Sequence, residues 1–176
     1  DQDRYALESH QKAVAAIKSG RFKEQIVPVT VPQGKNEPKI VDTDEHPRAD
    51  TSLEKLARLA PAFKPGGTVT AGNASGINDA AAAVVLMSAA KARELGIKPK
   101  LRFICHAVAG VEPSMMGIGP AFSTPKALRQ AGLSLEQMDL VEANEAFAAQ
   151  ALAAGRLLGL NWDKVNPNGG GVGLGH

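Results

Sequence analysis

Two apolar runs set the terms on which this chain can fold. Ala80-Ala81-Ala82-Ala83-Val84-Val85-Leu86-Met87 has no polar member, and Leu101 to Ala109 is interrupted only by Arg102 and His106. Runs of this length, the first with its Val84-Val85 pair, read as strands buried in a sheet, which requires a helical layer above and below. A buried helix is the other reading of residues 80–87. Helical patterns flank both runs. Residues 4–19 carry Ala6, Ala13, Val14 and Ile17 near a 3.6 period, with Gly20 as a stop. Ser88 to Leu95 reads as a helix closed by Gly96, and Thr124-Pro125 as a helix start closed by Gly132. Strands alternating with helices argue an α/β class of stacked layers.

The remaining segments are shorter. Gln25 to Val31 is β-like, and Pro28 confines it to an edge. Residues 32–50, with Pro32, Pro38 and Pro47, read as a long loop. Thr51-Ser52-Leu53-Glu54 has the form of a capping box ahead of a helix lined by Leu53, Leu56 and Leu59 and ended by Pro61. Leu140-Val141 is a short strand. Asn144 then opens a helix whose expected inner face is Ala146, Ala149, Gln150, Ala153 and Leu157, with Gly159 as terminator.

Composition removes several function classes. Twenty basic and 18 acidic residues leave a net charge of +2, which implies no polyanion-binding surface, so nucleic acid is not an expected partner. A single cysteine excludes a disulfide framework and a thiolate zinc site, and no metal is expected. No apolar run approaches ~18 residues, so no membrane-spanning helix is expected. The polar start Asp1-Gln2-Asp3-Arg4 lacks a signal-peptide core. The chain reads as the interior of a longer polypeptide, with a cytoplasmic location as the expectation.

Few residues stand out for chemistry. His10, His46, His106 and His176 are widely spaced. His10 reads as helix surface. His46, in Asp44-Glu45-His46-Pro47-Arg48, belongs to a solvated connection or to an anion clasp in which Arg48 meets a phosphate. Cys105 sits in an apolar run and reads as a small hydrophobe rather than a nucleophile. His176 follows Gly169-Gly170-Gly171-Val172-Gly173-Leu174-Gly175. Glycines at that density either let backbone approach a ligand closely or form a flexible tail. Asn144 is a helix cap or a holder of water or an oxyanion. Gly72-Asn73-Ala74-Ser75-Gly76 is a plain turn or a loop that hugs a flat ligand; it lacks the Lys-Ser/Thr of a P-loop.

Taken in order, these strings stop being independent. Arg21-Phe22-Lys23 with Ile26-Val27-Pro28-Val29, Asp44 to Arg48, Pro61-Ala62-Phe63 with Gly67 to Asp79, Met116-Gly117-Ile118-Gly119-Pro120, Asn144-Glu145-Ala146-Phe147-Ala148 and Asn166 to His176 follow one another along essentially the whole chain. Together they closely resemble the thiolase family, and within it the acetyl-CoA acetyltransferases. The resemblance implies the layered αβαβα thiolase fold, mixed sheets flanked by helices, present here only in part. Residues 1–77 would form the loop domain covering CoA, 78–97 the end of the N-terminal half, and 98–176 most of the C-terminal half.

The implied activity is condensation of two acetyl-CoA to acetoacetyl-CoA and CoA, or the reverse thiolysis, through an acyl-cysteine. Both catalytic cysteines of the family match positions outside this segment, and Cys105 matches neither. His176 and Asn144 match the catalytic His and Asn, the Asn holding a water, that stabilise the enolate oxygen. Arg48, Ala71 and Ser75 match residues along CoA, and Met116, Ala146 and Phe147 the acyl pocket. The resemblance implies no cofactor beyond the CoA thioester substrate, a homo-oligomer (dimer or tetramer), and a place in fatty acid metabolism. The competing expectation is a non-catalytic acyl-CoA-binding protein of thiolase type.

Overall fold

The computed structural model describes all residues from Asp1 to His176. Helix α1, Gln2–Lys18, is its spine. The buried side of α1 is Ala6, Ser9, His10, Ala13 and Ala16, a stripe at helical spacing. Three of these five are alanine, so neighbouring backbone comes close. The period had pointed to Val14 and Ile17 for this stripe and had placed His10 on the surface. Instead His10 is only 4% exposed. Ser9 and His10 take buried positions because each finds hydrogen-bond partners there, as described below.

A two-stranded antiparallel hairpin follows, β1 (Val29–Gln33) and β2 (Asn36–Val41), with Val29 opposite Val41 and Thr30 opposite Ile40. This corrects the single long loop expected over residues 32–50. Gly34, at φ +63°, supplies the left-handed turn residue a tight hairpin needs. Pro32 falls where the pairing register slips, between Val31 and Gln33, as expected of a residue with no N–H to give. Helix α2 is one turn, Leu53–Leu56. Its cap is Ser52, whose Oγ accepts from the Lys55 N–H at 3.3 Å, one residue later than the capping box suggested. Only Leu56 of the expected leucine face is buried.

Helix α3 spans Ala89–Glu94, capped by the Ser88 hydroxyl at 3.1 Å from the Lys91 N–H. Helix α4 spans Gly119–Ala131, five residues earlier than Thr124-Pro125 indicated. Pro120 takes the first turn and Pro125 is carried inside the helix. Helix α5 spans Ala148–Leu158, and α6 is the single turn Gly171–Leu174. The stops expected at Gly132 and Gly159 are both present, in left-handed conformation at φ +67° and +68°. The strand expected at Leu140-Val141 is one parallel bridge, Val141 to Val165. Helices α5, α6 and α2 pack on α1, and α4 packs on α5.

The two apolar runs do not form strands. Residues 75–88 and 97–112 have no helix or ladder, and Val85 and Leu101 are 85% and 91% exposed. Strand structure is made by the neighbour that accepts and donates its hydrogen bonds. No other strand of this chain lies beside either run, so their propensity has nothing to act on. Only 19 of 176 residues are buried, so the apolar area removed from water is small for a chain of this length. Residues 1–176 alone are therefore expected to aggregate, or to unfold in urea without a cooperative transition. A sharp transition from a monomer, measured by circular dichroism with sedimentation, would contradict this.

Candidate functional site

The loop around Asn73 organises the site. Asn73 is buried; its Oδ1 accepts from the Thr70 N–H at 2.9 Å, and its Nδ2 donates to Asp3 Oδ1 at 2.8 Å and to the Thr68 carbonyl at 3.1 Å. One amide thus fixes the loop to α1. The loop then pairs with residues 146–148. The Ala148 N–H donates to the Asn73 carbonyl at 2.9 Å, and both the Ser75 N–H (3.0 Å) and Ser75 Oγ (2.9 Å) donate to the Ala146 carbonyl. Ala74 and Phe147 form an antiparallel bridge.

This pairing holds the chain extended before α5. Phe147, not Asn144, is the residue that precedes the helix, and it makes no side-chain cap. The first-turn side chain of Gln150 reaches back to accept from the Ala146 N–H at 3.2 Å. Its buried face is Ala148, Ala151, Ala154 and Gly155 instead of the expected Ala146, Ala149, Gln150, Ala153 and Leu157. Leu157 is exposed.

Beside Asn144 lies the feature that pattern-reading missed. Glu145 is 2% exposed, and its carboxylate accepts four hydrogen bonds. Oε1 accepts from the Tyr5 hydroxyl at 2.9 Å and Asn166 Nδ2 at 2.8 Å. Oε2 accepts from the Ser9 hydroxyl at 2.6 Å and the Val172 N–H at 3.1 Å. Burial first, and then the neighbouring carboxylate, push the Tyr5 phenol well above its ordinary range. Asn166 is the one non-glycine residue with positive φ, at +45°. It is held there by its own side chain, which accepts from the Ala143 N–H at 2.7 Å and donates to the Ala143 carbonyl at 2.8 Å. A glutamate beside asparagine in an otherwise alanine-rich string was the available signal: a carboxylate among small residues is buried only where donors wait for it.

The glycine-rich end closes over this carboxylate. Ser9 Oγ accepts from the Gly170 N–H at 3.2 Å and the Gly173 N–H at 3.0 Å. A Cβ on Gly170 would lie 2.6 Å from Glu145 Oε1, and one on Gly169 would lie 2.8 Å from the Ser9 carbonyl oxygen. Of the two readings open for this segment, close approach is the one observed. His176 then returns to the Asn73 loop: its N–H donates to the Gly76 carbonyl at 2.9 Å, and the Asn78 N–H donates to its carbonyl at 3.3 Å.

A histidine pair lies on the other side of Gly76. His10 and His46 stack with ring centres 5.9 Å apart. His10 Nδ1 accepts from the Arg48 N–H at 3.2 Å, and His46 Nε2 lies 3.2 Å from the Val172 carbonyl oxygen. Residues 44–48 are thereby tied to α1 and α6, although Arg48 itself is exposed and its guanidinium has no ion-pair partner in this chain. Burial first, then the charges of His46 and Arg48, lower the His10 pKa, against a weaker opposing pull from Glu145.

The residues singled out from the sequence thus divide. Ser75, Ala146, Phe147 and His176 meet around the Ser75-Gly76 dipeptide. Asn144 lies at the start of α6, its Oδ1 3.6 Å from where a Cβ of Gly171 would stand. Phe147 packs edge-on against Phe63 at 5.8 Å and, with Val69, Ala149 and Gln150, lines an open apolar recess of about 350 Å³. Met116 is exposed on the turn Pro113–Ile118, which meets α5 where Gly117 abuts Gln150. Ala71 is exposed at the start of the Asn73 turn. Cys105 is half-buried, and its Sγ donates to the Ala127 carbonyl at 3.2 Å.

The Asn-Glu-Ala-Phe segment, the small-residue loop and the glycine-backed His176 are thus brought to neighbouring backbone. Residues 1–90 match the thiolase N-terminal domain family and residues 97–176 the thiolase C-terminal domain family. The chain belongs to the thiolase family. It is 59% identical over its whole length to an acetyl-CoA acetyltransferase of Pseudomonas aeruginosa and 54% identical to a beta-ketoadipyl-CoA thiolase of Acinetobacter baylyi. It spans 45% and 44% of the lengths of those two proteins. Among solved structures, the acetyl-CoA acetyltransferase of Bacillus anthracis superposes with a TM-score of 0.97 at 54% identity, covering 99% of this chain and 44% of that one. Human mitochondrial 3-ketoacyl-CoA thiolase gives 0.90 at 44% identity, covering 99% and 44%. The thiolase fold is thus present in part, as the sequence resemblance implied.

Two outcomes follow. Gly170→Ala is expected to destabilise the full-length protein by about 1–3 kcal/mol, because the added methyl meets the Glu145 carboxylate; chemical denaturation measures it, and an unchanged midpoint contradicts it. The second concerns pH. A histidine whose folded pKa is depressed stabilises fully above its unfolded value of 6.5 and loses that contribution as pH falls through the lower folded value. The melting temperature is therefore expected to fall on acidification below pH 6.5, and His10→Gln to flatten that decline. An equally steep decline in the variant would contradict the assignment.

Proposed function

We propose that the full-length protein carrying this chain is an acetyl-CoA C-acetyltransferase. It condenses two acetyl-CoA to acetoacetyl-CoA and CoA, and catalyses the reverse thiolysis. The observation that carries this is the meeting at Ser75-Gly76, where Ala146 is bonded on one side and His176 on the other. The names of the relatives support the same chemistry and disfavour a purely non-catalytic CoA binder.

In this reading a cysteine from the part of the relatives' length that this chain does not span carries the acetyl group as a thioester. A second cysteine from that part removes a proton from the methyl of the acceptor acetyl-CoA. The resulting enolate oxygen is met by His176 and by a water held on the Asn144 carboxamide. Donors fixed in advance stabilise charge at the moment it forms, because they need not reorganise. The enolate carbon attacks the acyl-enzyme carbonyl, forming the carbon–carbon bond and releasing the cysteine thiolate. Met116, Ala146 and Phe147 bound the acyl group. Ala71 and Ser75 lie along the pantetheine arm, and the unpaired Arg48 meets a phosphate of CoA. A homodimer or homotetramer and a role in fatty acid metabolism complete the proposal.

In the full-length enzyme, Asn144→Ala and His176→Ala are each expected to lower kcat about 10²–10³-fold. Arg48→Ala is expected to raise KM for the CoA thioester while leaving kcat within about twofold. Acetoacetyl-CoA thiolysis, followed by loss of its enolate absorbance, reads all three. Full turnover in Asn144→Ala would overturn the assignment.

A further inference from the structure

We propose that Glu145 is a positioning residue for the oxyanion hole, fixing the spacing of Asn144 and His176; the inference rests on the function proposed above. The Ser9 oxygen is occupied by two N–H donors, those of Gly170 and Gly173, so its single proton must go to Glu145 Oε2. The Val172 N–H, at the same oxygen, has no freedom of sense. At Oε1, Asn166 cannot turn its amide over without losing both bonds to Ala143. Three of the four donors are therefore fixed, and they demand an acceptor on both sides of the Glu145 group. Tyr5 is the one partner able to reverse its bond.

The consequence falls on the site. The N–H groups of Gly170, Val172 and Gly173 start α6, and Glu145 with Ser9 satisfies all three. Helix α6 runs directly into Gly175 and His176, while the Glu145 backbone continues directly from Asn144. The carboxylate is thus the tie between the segment that carries the carboxamide and the turn that carries the imidazole. It touches neither substrate nor any reacting atom.

Glu145→Gln tests this in the full-length enzyme. The side chain keeps its shape but must aim an NH₂ either at Ser9 and Val172 or at Asn166, so one side opens. We expect kcat to fall about 10- to 100-fold, as for loss of an orienting partner. KM and the calorimetric Kd for CoA should stay within about twofold, because Arg48 and Ser75 are held by other bonds. Ser9→Ala removes the same tie from the α1 side and is expected to lower kcat about tenfold with KM unchanged; it decides the matter if Glu145→Gln does not fold. An unchanged kcat per folded molecule with only an earlier melt, or a rise confined to KM, overturns the proposal. A wild-type enzyme without thiolysis activity overturns the function on which it rests, and is read first.

Discussion

A buried carboxylate with four donors on it is the constraint from which the rest of this structure follows. Removing a charged group from water is unfavourable by several kcal/mol unless the lost hydration is replaced. Here it is replaced by a phenol, a hydroxyl, a carboxamide and a backbone N–H. The donors come from three places: two from successive turns of α1, one from the left-handed turn at Asn166, and one from α6. Satisfying Glu145 therefore means assembling all of them, and the glycines at 169, 170 and 173 are what let the backbone come near enough.

Around that centre, ordinary backbone pairing does the remaining positioning. The Asn73 loop is held by its own amide and then serves as a short strand for residues 146–148. The same loop receives His176 from the other direction. No single motif is a site in itself. Three short strings, each unremarkable as a turn, a helix entry or a glycine tract, become one when hydrogen bonds set them side by side.

How far this could be read from residue order depends on range. Helix ends marked by local chemistry, Gly132 and Gly159 among them, were legible because a left-handed stop needs only its own residue. So was the long amphipathic pattern of α1. The apolar runs at 80–87 and 101–109 misled, since strand formation is settled by a partner and not by the run. The start of α5 was misplaced because pairing with Asn73 and Ser75, some seventy residues earlier in the chain, outweighs the preference of asparagine for a cap. His10 looked like surface because nothing nearby in sequence announces the Arg48 N–H. Glu145 was overlooked for the same reason: its partners lie 21 to 140 residues away. The order of the strings could be read as a family resemblance, while the contacts that bind them could not.

The same distances bear on how such a polypeptide is made. Ser9 waits for Gly173, 164 positions further on. Closing so large a loop carries a high entropic barrier, and contacts of that range slow folding. During synthesis the Ser9 hydroxyl of α1 lacks the Gly170 and Gly173 N–H groups until the glycine tract has emerged. Docking of α1 on α6 therefore waits for translation of the glycine tract, and a ribosome stalled before that tract would leave the α6-facing side of α1 uncovered.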